Sequence, residues 1–344
     1  MIGIGVAGYG YWGPKLVRNF YELPNADLLK VSDLRSERLE KAQAHYPTVK
    51  VTQDYRELLT DSRIDAIAIA TPISTHFELA MKALKAGKHL LVEKPLTSNS
   101  EQAVRLIEEA NRRNLTLMVD HTFVYTGAVQ RIKELLVNKE LGDIYYYDSV
   151  RVNLGLFQHD VNVMWDLAVH DLSIMDYLLP SKPVAVSATG ISHVPGEPEN
   201  IAYLTLFFEE NLIAHIHVNW LAPVKVRRTL IGGSQQMILY DDIEPSEKIK
   251  VYNKGITIDN KNEEESVYQM LIGYRTGDML APQLSTTEAL RTEALHFINC
   301  IEKAQPPLTD GEVGLRVVEI LESATRSMKE RGSLVKVKTG REIK

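Results

Sequence analysis

Met1-Ile2-Gly3-Ile4-Gly5-Val6-Ala7-Gly8-Tyr9-Gly10-Tyr11-Trp12-Gly13 decides how the chain is read. An apolar, strand-like run leads straight into three glycines spaced as GxGxxG, the fingerprint of a dinucleotide site. In such a turn the first glycine permits the tight exit from the strand. The second lets the backbone approach a pyrophosphate without a Cβ in the way, and the third lets the next helix pack closely. That helix turns free N–H groups and the positive end of its dipole toward phosphate. Pro14 falls in the first helical turn, where a missing N–H is tolerated.

The flanking sequence supports this reading. Leu16, Val17 and Phe20 share one face of the expected helix, and a second strand, Asp27 to Ser32, runs into Asp33. Asp33 comes about 20 residues after the last glycine, where a carboxylate bonds the adenosine ribose hydroxyls. The same charge repels a 2′-phosphate, so NAD is favoured over NADP; neighbouring Arg35 pulls the other way. Tyr9, Tyr11, Trp12 and Leu34 complete the cofactor contacts expected at this end.

The chain has 344 residues, a net charge of −6 and one cysteine. That length allows two domains with a sizeable core. The charge gives no reason to propose nucleic-acid or membrane binding. Cys300 excludes an internal disulfide framework and reads as a small buried hydrophobe. No cationic leader and no apolar run of about 18–20 residues is present, so the cytoplasm is the expected location.

Residues 1–121 alternate strand and helix, the pattern of a doubly wound parallel sheet with ligands at the carboxyl ends of its strands. Two stretches at those ends carry chemistry. Thr71-Pro72-Ile73-Ser74-Thr75-His76 follows the fourth strand, with Ser74 or Thr75 expected to cap the next helix. Glu93-Lys94-Pro95 follows the fifth, and His121 the sixth. Residues 122–344 read as a substrate-binding and oligomerisation α/β domain. Its successive strands, from Ile144–Asn153 to Gln236–Tyr240, suggest an open antiparallel or mixed sheet. Such a face often carries a subunit interface, so a homodimer or homotetramer is expected. Two helices follow, near 286–303 and 311–329.

Trp165 to Tyr177 stands out in the second domain. Asp166 and His170 are four apart and share a helical face, so an acid–base or hydrogen-bonded pair fits them. His159, Asp160, Asp166, His170 and Asp171 cluster in sequence but lack metal-ligand spacing, so no metal is expected. His215 and His217 point to one side of a strand.

The ordered set of GxGxxG, Asp33, Ala70-Thr71-Pro72…His76, Glu93-Lys94-Pro95 and Asp166…His170, closing with Pro307-Leu308-Thr309-Asp310-Gly311, resembles the glucose–fructose oxidoreductase/inositol dehydrogenase/rhizopine catabolism (Gfo/Idh/MocA) family. The resemblance covers essentially the whole chain. It implies a Rossmann domain, then a domain with an open, mostly antiparallel sheet, and hydride transfer between nicotinamide and a sugar or polyol carbon. It implies that Lys94 lies by the nicotinamide and the reacting hydroxyl, often before a cis proline. It makes His170, with Asp166, the usual proton acceptor; Lys94 stays open as the alternative base. Trp165 stands where many relatives have a small residue. Asn153-Leu154-Gly155-Leu156-Phe157-Gln158 is similar to a segment of sugar-nucleotide 3-dehydrogenases acting on UDP-N-acetylglucosamine or its uronic acid. Tyr125, Arg151 and Asn153 are the candidate substrate contacts, with Arg151, Arg227 and Arg228 available for a diphosphate. The rival readings are an inositol or free-sugar dehydrogenase and a non-catalytic NAD-binding regulator.

Overall fold

The computed structural model describes residues 1–155, 161–209, 211–258 and 272–338. The chain divides into two compact units, Met1–Thr126 with Thr287–Glu322, and Gly127–Thr286 with Ser323–Lys344.

The first unit begins with β1 (Ile2–Ala7), α1 (Gly13–Glu22), β2 (Ala26–Ser32), α2 (Ser36–His45), β3 (Lys50–Thr52) and α3 (Arg56–Thr60). It continues with β4 (Ala66–Ile69), α4 (Ile73–Lys85), β5 (His89–Glu93), α5 (Ser100–Arg113) and β6 (Leu117–Asp120). The strands form one parallel sheet in the order β3-β2-β1-β4-β5-β6. Strand order reverses beside β1, which puts the switch point of the sheet at the glycine turn. β4 and β6 are buried along their whole length, as strands covered on both faces must be. Ile67, Ile69, Leu84, Leu90, Val92, Leu106 and Val119 pack together in the core. Local sequence sets the helix ends. Asn99 caps α5 through the Gln102 amide, Asn114 closes it in the left-handed region, and Gly87 follows α4 at φ +77°. Neither Ser74 nor Thr75 caps α4. The helix starts directly after Pro72, so both hydroxyls fall inside it, and that of Thr75 turns back to the Pro72 carbonyl at 2.7 Å.

The second unit carries α6 (Gly127–Val137), β7 (Ile144–Leu154) and α7 (Val169–Leu178), which a π turn (Met164–Ala168) precedes. Then come β8 (Ala185–Ile191), β9 (Ile201–Phe207), β10 (Ile213–Asn219), β11 (Leu221–Gly233), β12 (Met237–Asp241) and β13 (Ile249–Tyr252). Short strands β14 (Gly255–Ile258), β15 (Ile272–Arg275) and β16 (Met279–Leu280) lie in a polar stretch whose sequence has no clear period. Among the described residues the main sheet has nine strands, β16-β13-β12-β11-β7-β10-β9-β8-β17, where β17 is Val335–Lys336. Among its described strands only the β7–β10 pairing is parallel. Ala214, Ile216 and Val218 are buried, whereas Tyr203, Phe207, Ile213, His215 and His217 line the other face, Tyr203 stacked on His217.

α8 (Ala289–Lys303) and the part of α9 (Gly311–Lys329) up to Glu322 belong to the first unit. A single boundary after residue 121 therefore differs from the observed division. The reason lies in packing: Phe297 of α8 is fully buried and meets Phe20 of α1 edge-on at 6.4 Å. Cys300, also on α8, is buried. No described helix is long and apolar enough to cross a membrane.

Candidate active site

The three glycines of the turn are held by different constraints. Gly8 has φ +96°, and a Cβ there would lie 2.5 Å from the Ala70 carbonyl oxygen. A Cβ on Gly13 would lie 2.1 Å from the Gly8 carbonyl oxygen, so close helix–strand packing forbids one. Gly10 is different: its Cβ would meet only the Arg38 guanidinium, at 3.4 Å. The fold itself demands Gly8 and Gly13, and leaves open space at Gly10. α1 has no side-chain cap and no acidic residue in its first turn, so its N-terminus is electrostatically suited to an anion.

Asp33, nearly buried at the end of β2, accepts the Tyr9 amide at 2.7 Å, the Arg35 amide at 2.9 Å and Arg38 Nη1 at 3.3 Å. Burial alone would raise its pKa, but these donors outweigh it and the carboxyl sits below its ordinary value. An ionised acceptor is thus tied to the glycine turn itself. Tyr11 and Leu34 are exposed, and the Lys15 ammonium rests over the Tyr11 and Trp12 rings. This set fits a dinucleotide, with space for pyrophosphate at Gly10, an uncapped helix start, and a fixed carboxylate for the ribose.

The next strands deliver their polar residues to the same sheet edge, where Glu93 and Asp120 are register partners. His76 is buried, with Nδ1 2.9 Å from the Pro95 carbonyl and Nε2 2.9 Å from that of Thr71. It staples the loop after β4 to the loop after β5, the loop that presents Lys94. Burial pushes the imidazole pKa down, and the Lys94 charge adds to this. The Lys94–Pro95 peptide is cis. Asp120 accepts the Trp12 indole N–H at 2.6 Å and the Thr122 hydroxyl. His121 and Tyr125 are buried; the Tyr125 hydroxyl lies 3.0 Å from that of Thr309. Tyr125 thus packs within the first unit.

In the second unit, Asn162 Oδ1 receives the Met164 and Trp165 amides and opens the π turn. Asp166 lies in that turn and accepts the indole N–H of buried Trp220 at 3.1 Å; His170 is one turn further on. Trp165 reaches the Thr325 hydroxyl at 3.1 Å. Asp171, the residue after His170, is gripped by Arg151 through Nε at 2.7 Å and Nη2 at 3.1 Å, and by the Ser149 hydroxyl at 2.8 Å. Arg151 is 3 % exposed. Its task in this structure is to fix the helix that carries His170, not the substrate contact expected of it. Asn153, near the end of β7, is half-buried beside Gly155, where a Cβ would press on Trp220 at 2.9 Å. Arg227 pairs with Asp242 and Arg228 with Asp241.

Leu156, Phe157, Gln158, His159 and Asp160 lie outside the described residues. Among the described residues no group of metal ligands forms. Sequence reading missed Trp220, Glu293 and Asp120. Their signal is the burial of polar atoms by tertiary contact, which no local pattern reveals.

Known proteins fit this picture. Residues 2–121 match the oxidoreductase family, NAD-binding Rossmann fold, and residues 129–239 match the GFO/IDH/MocA C-terminal domain. The chain is 28% identical to a UDP-N-acetylglucosamine 3-dehydrogenase of Acidithiobacillus ferrooxidans, over 91% of this chain and 93% of that one. It is 25% identical to a myo-inositol 2-dehydrogenase of Thermotoga maritima, over 96% and 97%. A solved structure of the Acidithiobacillus enzyme superposes with TM-score 0.81 at 26% identity, covering 97% of this chain and all of that one. An NADH complex of levoglucosan dehydrogenase, at TM-score 0.83 and 19% identity, shares the fold. With both domains matched in order, the chain belongs to the GFO/IDH/MocA oxidoreductases and uses NAD.

Proposed function

We propose that this oxidoreductase moves hydride between NAD and a secondary alcohol of a sugar, most specifically C3 of a nucleotide sugar of the UDP-N-acetylglucosamine type. The observation that carries the reading is the constrained helix start in the second unit. Trp220 holds Asp166, and the Arg151–Asp171 pair locks the residue next to His170. A buried ion pair costs desolvation and is weak evidence of stability, so its value here lies in orientation.

NAD, when bound, supplies the hydride acceptor; Gly8 to Gly13, Asp33 and the ends of β4 to β6 are the groups that would hold it. The chain's own residues manage the proton. An alcohol carbon gives up hydride only as its hydroxyl proton leaves, which requires a base in hydrogen-bond reach. His170 takes that proton, since a neutral imidazole is matched to neutral pH. Asp166 orients the ring or the substrate. The Lys94 ammonium holds the hydroxyl oxygen and stabilises alkoxide character as it develops. Asn153 contacts the sugar.

The nucleotide-sugar reading is supported by the 28% identical relative and by the likeness of the segment from Asn153. The second reading, an inositol or free-sugar dehydrogenase, is favoured by the ion pairs of Arg227 and Arg228. A diphosphate would have to displace two aspartates there, although surface pairs are each worth only about 0–1 kcal/mol. Mass spectrometry of small molecules released on denaturation, followed by a thermal-shift panel of UDP-sugars and inositols, tests the choice. Stabilisation by UDP-sugars supports the first reading; a shift with inositol alone supports the second.

A further inference from the structure

Glu293 is a carboxyl group with no role in the reaction just described and no exposure to water. It lies on α8, within the first unit, against Asp120 and Thr122. Both of its oxygens are buried, neither has a hydrogen bond of good geometry, and Asp120 and the Thr122 hydroxyl are the polar groups facing it. Asp120 is 2 % exposed and is well supplied, taking the Trp12 indole N–H and the Thr122 hydroxyl. Two buried carboxylates in contact would repel strongly, so one proton between them is the favourable arrangement. Only as an acid does Glu293 satisfy both groups, its O–H donating to Asp120.

We propose that Glu293 and Asp120 form an acid–carboxylate pair that positions the glycine turn by clamping the indole of Trp12, which stands between Gly10 and Gly13. This rests on reading that turn as the dinucleotide site. Glu293 is a positioning residue, because it acts through Asp120 and Trp12. Charge from Glu93 and Lys94 at the end of β5 also reaches the pair, as does the Tyr125 hydroxyl. Burial raises both carboxyl pKa values, that of Glu293 well above its usual range, in keeping with the shared proton.

The arrangement is tested by infrared difference spectroscopy and NADH titration on the full-length protein. At neutral pH the wild type should show a protonated carboxylic-acid carbonyl band that Glu293→Gln removes. Absence of the band from wild type, or its persistence in Glu293→Gln, overturns the shared proton. Glutamine keeps a donor toward Asp120, so Glu293→Gln should bind NADH within about threefold of wild type. Glu293→Leu and Trp12→Phe should each weaken it about tenfold, the scale of one charge-assisted hydrogen bond. Wild-type affinity in Trp12→Phe overturns the clamp even if Glu293→Leu fails to fold. A wild type that binds no NADH instead refutes the dinucleotide reading, and the infrared result still judges the pair.

Discussion

Replacing Gly10 and Gly13 separately by alanine divides the needs of the fold from those of the cofactor. A methyl on Gly13 would sit 2.1 Å from a backbone oxygen, against roughly 3.5–4.0 Å for comfortable contact. The backbone cannot swing aside as a side chain can, so the cost falls at the upper end of overpacking, about 3 kcal/mol. That corresponds to a drop in Tm of about 6–12 °C. A methyl on Gly10 meets only the tip of Arg38 at 3.4 Å. With no positive φ at that position, Gly10→Ala should hold Tm within about 4 °C of wild type. If the turn holds a dinucleotide as proposed, the same methyl would stand in the approach to its pyrophosphate. It should cost about 3 kcal/mol of NADH affinity, more than a hundredfold in Kd. Thermal melting by circular dichroism and NADH titration by fluorescence read the two effects independently. Normal NADH binding by Gly10→Ala, or a Gly13→Ala protein as stable as wild type, would refute this division.

The remaining predictions concern charge and assembly. Because Asp33 sits below its ordinary pKa, its contribution to stability is full above the usual carboxylate range and is lost only as pH falls through the lowered value. NAD preference should therefore persist at about pH 5, and Asp33→Ser should shift the NADP/NAD affinity ratio about tenfold toward NADP; an unchanged ratio contradicts the role of the carboxylate. Glu293 has the opposite sign: its contribution is full below about pH 4.3 and declines as pH rises toward the raised folded value, by about 1.4 kcal/mol per pH unit. Glu293→Gln should accordingly gain Tm relative to wild type as pH rises above the ordinary glutamate range, and a pH-independent difference would show that the folded carboxyl is ionised. The open sheet face with Tyr203, Phe207 and Ile213 is expected to be covered by a second copy. Sedimentation velocity should then give a dimer or tetramer; a monomer at assay concentration removes that expectation.

Much of the first unit was legible because its signals are local. Apolar runs buried on both faces, glycines at fixed spacing and Asp33 at the end of β2 each follow from short-range sequence. Strands β7 to β12 of the second unit were legible for the same reason, down to the shared face of His215 and His217, whereas β13 to β17, short and in polar surroundings, were not. What sequence did not disclose depends on contacts far apart in the chain. α8 joins the first unit because Phe297 finds Phe20, a pairing no periodicity encodes. Arg151 looked free to meet a substrate because its partner Asp171 lies on another element, across a turn. The π turn around Asp166 was likewise invisible, since its residues also suit an ordinary α-helix.

The proposed function stands on hydride exchange between NAD and a sugar alcohol, with Lys94 and His170 handling the hydroxyl. It is tested most directly by mixing the purified protein with NAD and each candidate sugar, and with NADH and the corresponding ketose, while following the NADH absorbance. Wild type should show a sugar-dependent change. Lys94→Ala and His170→Ala should each still bind NADH and lose at least about a hundredfold in turnover. Undiminished turnover in both variants, or no change with any sugar in either direction, would contradict it.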